Sequence, residues 1–189
     1  MERVIVIDNL INDYNHNHIE KTLLDDEKPN YKFVRDVTIK GNEQQRPGFY
    51  HMLIKDDKKV SDYANLAYDV ISHACMKSNL IPKKILQARS FLQLPLAAHF
   101  RGDNIDTPHI DSVEDHIVIL YYVNDSDGCT VVYDKKYEEG KTVKFDELKE
   151  IKRVEPKKGR VVIFNGLHYH TGEQPNSNVR SIINCNIQV

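Results

Sequence analysis

Two histidines and an aspartate in this sequence have the types and spacing to hold a metal ion. His109 and Asp111 stand two residues apart in the run Thr107-Pro108-His109-Ile110-Asp111-Ser112, so an extended backbone puts imidazole and carboxylate on one side. A second imidazole returning from a later strand completes three ligands on one face and leaves the opposite face open. Two imidazoles and one carboxylate with open positions suit a ferrous ion that takes further ligands. His168-Tyr169-His170 repeats the period-two spacing, so both of its histidines point the same way and geometry does not choose between them. Arg180 follows ten residues after His170, past a turn-like run from Glu173 to Asn178. On a neighbouring strand it faces the same cavity as a fixed cation for a carboxylate.

These residues, together with Leu120 to Asn124, Pro156 to Phe164, His170-Thr171-Gly172 and Val179-Arg180-Ser181, resemble the Fe(II)- and 2-oxoglutarate-dependent dioxygenases, in particular the prolyl-4-hydroxylase-like branch. The match runs from about Phe91 to the end of the chain. The wording around the motif is also similar to small oxygenases of tailed phages of marine bacteria. The resemblance implies His109, Asp111 and His170 as iron ligands, with His170 preferred because Thr-Gly follows it and its interval to Arg180 matches the family's distal histidine. His168 is then a residue behind the site or facing substrate. Arg180 is implied for the distal carboxylate of 2-oxoglutarate, and dioxygen takes the remaining iron position. Tyr122 falls where the branch carries a tyrosine for the same carboxylate. His99 falls where the branch often has a tyrosine that contacts the co-substrate. Asn184, on Arg180's face of the last strand, is a candidate cavity-lining group. The implied reaction is oxidative decarboxylation of 2-oxoglutarate to succinate and CO2, with hydroxylation of a C–H bond. A peptidyl proline is suggested by the resemblance alone; other amino-acid side chains and small molecules stay open as substrates.

Other readings have their own signatures. A nucleic-acid repair dioxygenase usually carries a second arginine six residues past the first, where this chain has Asn186. A cupin-like jelly-roll module would bind metal without turnover, and a zinc hydrolase needs a glutamate base that no recognisable motif supplies.

The rest of the chain must position these groups. At 189 residues it suffices for one domain with its own core. A net charge of −2 gives no general attraction to nucleic acid or membrane. Three scattered cysteines, Cys75, Cys129 and Cys185, read as buried thiols in a reducing compartment. With no signal peptide or long apolar run, a soluble cytoplasmic protein is expected. Arg3 to Asp8 reads as a strand, Ile11 to Leu24 as a helix and Tyr31 to Ile39 as a half-buried strand. Gly41 to Lys59 is polar enough for a loop and a candidate lid. Val60 to Leu80 is the clearest helix, with Ser61 as a candidate N-cap. From Phe91 the pattern is strand after strand: Phe91 to Leu96, whose Pro95 implies an edge or bulge, then Ile117 to Val123. A hairpin turn with Gly128 at positive φ leads to Cys129 to Tyr133, and Val143 to Val154, Arg160 to Phe164 and Arg180 to Val189 follow. The expected fold is α+β: a double-stranded β-helix, or jelly roll, over 91–189, buttressed by helices and strands of 1–90.

Overall fold

Alternating apolar residues in the second half of the chain need two separate covers, and the fold supplies both. The computed structural model describes residues 3–25, 29–35, 37, 46–96, 105–141 and 143–189. Its elements are β1 (Ile5–Ile7), α1 (Asp13–Glu20) continued by a π-turn (Lys21–Asp25), β2 (Lys32–Val34), β3 (Gly48–Lys55), β4 (Lys58–Lys59) and α2 (Ala64–Ser78). There follow β5 (Lys84–Gln93), β6 (Ile117–Tyr122), β7 (Thr130–Lys136), β8 (Glu150–Val154), β9 (Val161–Asn165), β10 (His168–Gly172) and β11 (Arg180–Gln188). The larger sheet has the order β1-β9-β6-β11-β5-β3-β2, with β4 paired to β3; the smaller is β10-β7-β8.

In the larger sheet, Ile117, Ile119, Tyr121, Ile163, Ile183, Cys185 and Ile187 face a core shared with Val70, Ile71 and Ala74 of α2. Their alternates Val118, Leu120, Tyr122, Val162, Phe164 and Ile182 face Val132 and Val154 of the smaller sheet. A one-residue slip would therefore exchange two apolar faces. Each fully buried aliphatic or aromatic side chain contributes about 1.5–3 kcal/mol. The N-terminal part is woven into the same sheet: β1 pairs with β9, and β3 with β5. Among the described residues no helix is long and apolar enough to cross a membrane.

The structure corrects several sequence expectations. Within 41–59, Gly48 to Lys55 and Lys58-Lys59 are strands rather than a loop, and 41–45 lie outside the described residues. The register of β3 on β5 shifts between Met52 and Ile54, so Leu53 and Ile54 are both buried. That break in alternation hides the strand. The charge run Lys55 to Lys59 is the hairpin turn, with Asp56 and Asp57 at φ 48° and 61°, the left-handed pair that matches strand twist. The strand expected over Phe91 to Leu96 starts earlier, ends at Gln93 before Pro95, and is interior, between β11 and β3. Beta-strands β6 and β7 lie in different sheets, so the turn between them is a crossing and not a hairpin. The positive-φ glycines described are Gly140 and Gly159, not Gly128. Tyr63 holds the N-cap position of α2, while Ser61 Oγ accepts the Tyr63 N–H at 3.0 Å.

Candidate metal centre and co-substrate pocket

The segment 105–111 runs beside β10 and extends the smaller sheet: Ile105 bridges Glu173, and His109 bridges His170. His109 and His170 exchange backbone hydrogen bonds of 2.9 Å in both directions, which sets their rings side by side with centroids 4.8 Å apart. One potential ligand atom from each of His109, Asp111 and His170 lies within 4.8 Å of the others. Two of the three come from adjacent backbone segments and the third from two residues further along.

The hydrogen bonds decide which atoms are offered. His109 Nδ1 lies 3.0 Å from the Thr107 carbonyl and His170 Nδ1 lies 3.0 Å from the His168 carbonyl. A carbonyl only accepts, so both Nδ1 atoms carry the hydrogen and both Nε2 atoms keep a lone pair. Burial, reinforced by neighbouring His109, draws the His170 pKa down to about 4, so its ring is neutral at pH 7. Asp111 receives Arg89 Nη2 on Oδ1 at 3.1 Å and Asn184 Nδ2 on Oδ2 at 2.9 Å. Burial opposes its ionisation, but the neighbouring His170, Arg89 and His109 and the Asn184 amide outweigh it and hold the carboxyl well below the usual range. Two neutral imidazole nitrogens and one carboxylate fit a divalent transition metal.

These groups line a cavity of about 160 Å³ that also takes in Gln93, Asp106, Thr130 and Arg180. Arg180 is 3% exposed. Its Nε donates to the Gly128 carbonyl, Nη1 to Gln93 Oε1 and Nη2 to Thr130 Oγ1, each at 2.8 Å. A guanidinium has five N–H donors, so one hydrogen remains on each terminal nitrogen, the pair that grips a carboxylate. Gly128 is required here by close approach: a Cβ would lie 2.5 Å from the Glu173 carbonyl oxygen and 3.0 Å from Arg180 Cδ. Deeper in, Asp106 takes Gln93 Nε2 at 3.2 Å and lies 3.6 Å from Arg46 Nε. Burial raises its pKa to about 6, against the pull of Arg46 and Arg180.

Of the other candidates, Tyr122 and His168 lie outside this group and Asn184 lies within it. Tyr122 does not line the cavity; its hydroxyl donates to Thr130 Oγ1 at 2.7 Å, and its ring lies against Arg180, whose guanidinium carbon is 5.8 Å from the ring centroid. His168 turns away, with Nδ1 2.8 Å from the Tyr133 carbonyl, and the register of β10 on β7 shifts between it and His170. His99 lies outside the described residues. Asn184 lines the cavity and holds Asp111, a closer part than that of a passive wall. Sequence reasoning missed Arg89, Gln93, Thr130 and Asp106. A signal existed for two of them: Arg89, Phe91 and Gln93 alternate with small or apolar residues, and β11 sets Asn184 opposite Arg89 and Arg180 opposite Gln93.

One prediction follows directly for the late histidines. His170→Ala is expected to remove bound metal, while His168→Ala retains it, because only His170 presents Nε2 to the cluster. Metal content after reconstitution measures this, and a reversed pattern would mean that His168 is the ligand.

Residues 96–188 match the sequence model described as the 2OG-Fe(II) oxygenase superfamily, a span that carries all three clustered residues and Arg180. No curated protein matches the sequence. Among solved structures the chain is similar to a Pseudomonas putida prolyl-4-hydroxylase, at 12% identity and TM-score 0.61, over 98% of this chain and 91% of that one. It is also similar to AviO1 from Streptomyces viridochromogenes Tue57, at 13% identity and TM-score 0.67, over 100% and 90%. A third likeness is to the epimerase SnoN in complex with Fe3+, alpha ketoglutarate and nogalamycin RO, at 11% identity and TM-score 0.65, over 98% and 78%. At such identities the structures speak for the jelly-roll fold; the family rests on the sequence match. Residues 96–188 belong to the 2OG-Fe(II) oxygenase superfamily, and the chain is an enzyme that uses iron(II) and 2-oxoglutarate.

Proposed function

We propose that this enzyme hydroxylates a C–H bond of an amino-acid side chain or a related small molecule, holding iron(II) through His109, Asp111 and His170 and 2-oxoglutarate through Arg180. The observation that carries the reading is the pairing of two Nε2 lone pairs and a carboxylate with a guanidinium that keeps two hydrogens for the same cavity. When bound, iron(II) and 2-oxoglutarate supply the oxidising power: dioxygen is consumed, 2-oxoglutarate becomes succinate and CO2, and one oxygen atom enters the substrate.

The chain's own residues bind and orient. The carbonyls of Thr107 and His168 lock the two imidazoles in one tautomer, and Asn184 and Arg89 stop the Asp111 carboxylate from turning. Gln93 and Thr130 set the plane of Arg180, and Tyr122 fixes Thr130. Phe91, Leu120 and Ile182 supply apolar wall to the cavity, and charged hydrogen bonds strengthen where bound ligands exclude water. No side-chain general base is needed. The unpaired cysteines favour the cytoplasm as its compartment.

Purified protein given Fe(II) and 2-oxoglutarate in air is expected to release succinate slowly without substrate, and to stop when Zn(II) replaces Fe(II). Failure of the Fe(II)-loaded protein to bind 2-oxoglutarate would overturn the reading.

A further inference from the structure

The cavity holds a second arginine whose partners do not exhaust it. Arg89, on β5, gives one N–H to Asp111, and its guanidinium carbon lies 4.9 Å from the centroid of the Phe91 ring. A guanidinium stacked on a ring presents its hydrogens edge-on. Its Nε is buried and has no hydrogen-bond partner. Directly across the strand pair, Asn184 is in the mirror-image condition. Its Nδ2 must face Asp111, because a carboxylate only accepts, and its Oδ1 is left buried without a donor. Buried polar atoms are otherwise nearly always paired. Here one donor and one acceptor are orphaned on two facing residues that both line the cavity of the metal ligands.

Bracing Asp111 alone needs one N–H from Arg89 and leaves the buried Nε unexplained.

Resting on the proposed oxygenase reading, we infer that Arg89 and Asn184 form the substrate anchor, and that the substrate is a small free carboxylic acid bearing an amine or hydroxyl beside its carboxylate. Arg89 takes the carboxylate and Asn184 Oδ1 accepts the adjacent N–H or O–H. Amino acids and hydroxy acids share this chemistry, whereas a residue inside a peptide chain lacks the carboxylate. The anchor stands next to Asp111, so the oxidised carbon lies within a few bonds of the carboxylate.

The test uses the full chain loaded with Mn(II) and 2-oxoglutarate, which binds without turning over, and isothermal titration calorimetry. The probes are the twenty L-amino acids and their 2-hydroxy-acid analogues, each compared with its carboxamide. At least one free acid is expected to bind, with its amide weaker by tenfold or more. Arg89→Gln should weaken the acid by roughly ten- to a hundred-fold, the range of one charged hydrogen bond, and bring it level with the amide. Arg89→Lys, which keeps the charge, should fall between. The inference is overturned if no free acid binds, if acids and amides bind alike, or if Arg89→Gln lowers Mn(II) affinity but leaves the acid-to-amide ratio unchanged. The last result would make Arg89 only a brace for Asp111. A wild-type chain that takes up neither Mn(II) nor 2-oxoglutarate would instead sink the oxygenase reading, and this inference with it.

Discussion

Asp111→Ala is expected to abolish stable metal binding and, with it, 2-oxoglutarate turnover. Groups that merely hydrogen-bond to metal ligands are worth about 10- to 100-fold in affinity, so loss of a ligand should exceed ~100-fold. The two imidazoles left behind carry no charge to offset a divalent ion. The structure adds a second consequence, because Arg89 and Asn184 both lose their shared acceptor. Breaking a fully buried ion pair costs about 3–5 kcal/mol. Arg89 keeps 22% exposure of its side chain and reaches water, so the cost here should be smaller. Asp111→Asn separates the effects, since it keeps shape and packing and loses the ligating charge. Metal content by elemental analysis and thermal unfolding, measured on both variants, check this. Full occupancy in Asp111→Ala would disprove the ligand assignment.

Arg180→Ala should act on the co-substrate and leave the metal alone. A charged hydrogen bond contributes about 1.5–3 kcal/mol, and ~1.4 kcal/mol is tenfold, so affinity for 2-oxoglutarate should fall by roughly ten- to a hundred-fold. Arg180→Lys keeps a charge but cannot fork, and its single ammonium cannot serve Gly128, Gln93 and Thr130 together. Its loss should be smaller than that of Ala but clear. Stability also falls in Ala, because the Gly128 carbonyl cannot turn toward another donor and an unpaired buried acceptor costs on the order of 1–3 kcal/mol. Pyruvate, which has no distal carboxylate, should be a poor co-substrate for the wild type and no worse for the variant. Titration of 2-oxoglutarate into the Fe(II)-loaded variants under anaerobic conditions reads the effect. Unchanged affinity in Arg180→Ala would remove Arg180 from the co-substrate site.

The same residues show how far one-dimensional reading reaches. His109, Asp111 and Arg180 stand out because short-range geometry constrains them: period two sets the first pair on one side of the chain, and a turn returns the arginine. The two faces of β6, β9 and β11 are equally readable, since each strand alternates between two apolar surroundings. Beta-strand β3 is not. Its register shift buries consecutive residues and erases the period, and its turn is charged, so it resembles a loop until β5 is placed beside it. Tyr122 matches the branch by its position along the chain, while its contacts with Thr130 of the other sheet and with Arg180 come only from the fold.

The types and spacing of the candidate ligands, the alternation that demands two covered faces, and an arginine in reach of the site are legible along the chain. These are local properties, set by residues within a few positions of one another. Spacing leaves His168 and His170 equivalent, and the fold turns His170 toward His109 and Asp111 through a register shift between β10 and β7. It also brought Arg89 and Gln93 to Asn184 and Arg180, since β5 and β11 are neighbours in space but lie some ninety residues apart in the chain. Cross-strand pairing obeys hydrogen-bond register and the packing of whole sheets, and neither leaves a mark in the spacing of residues along one strand.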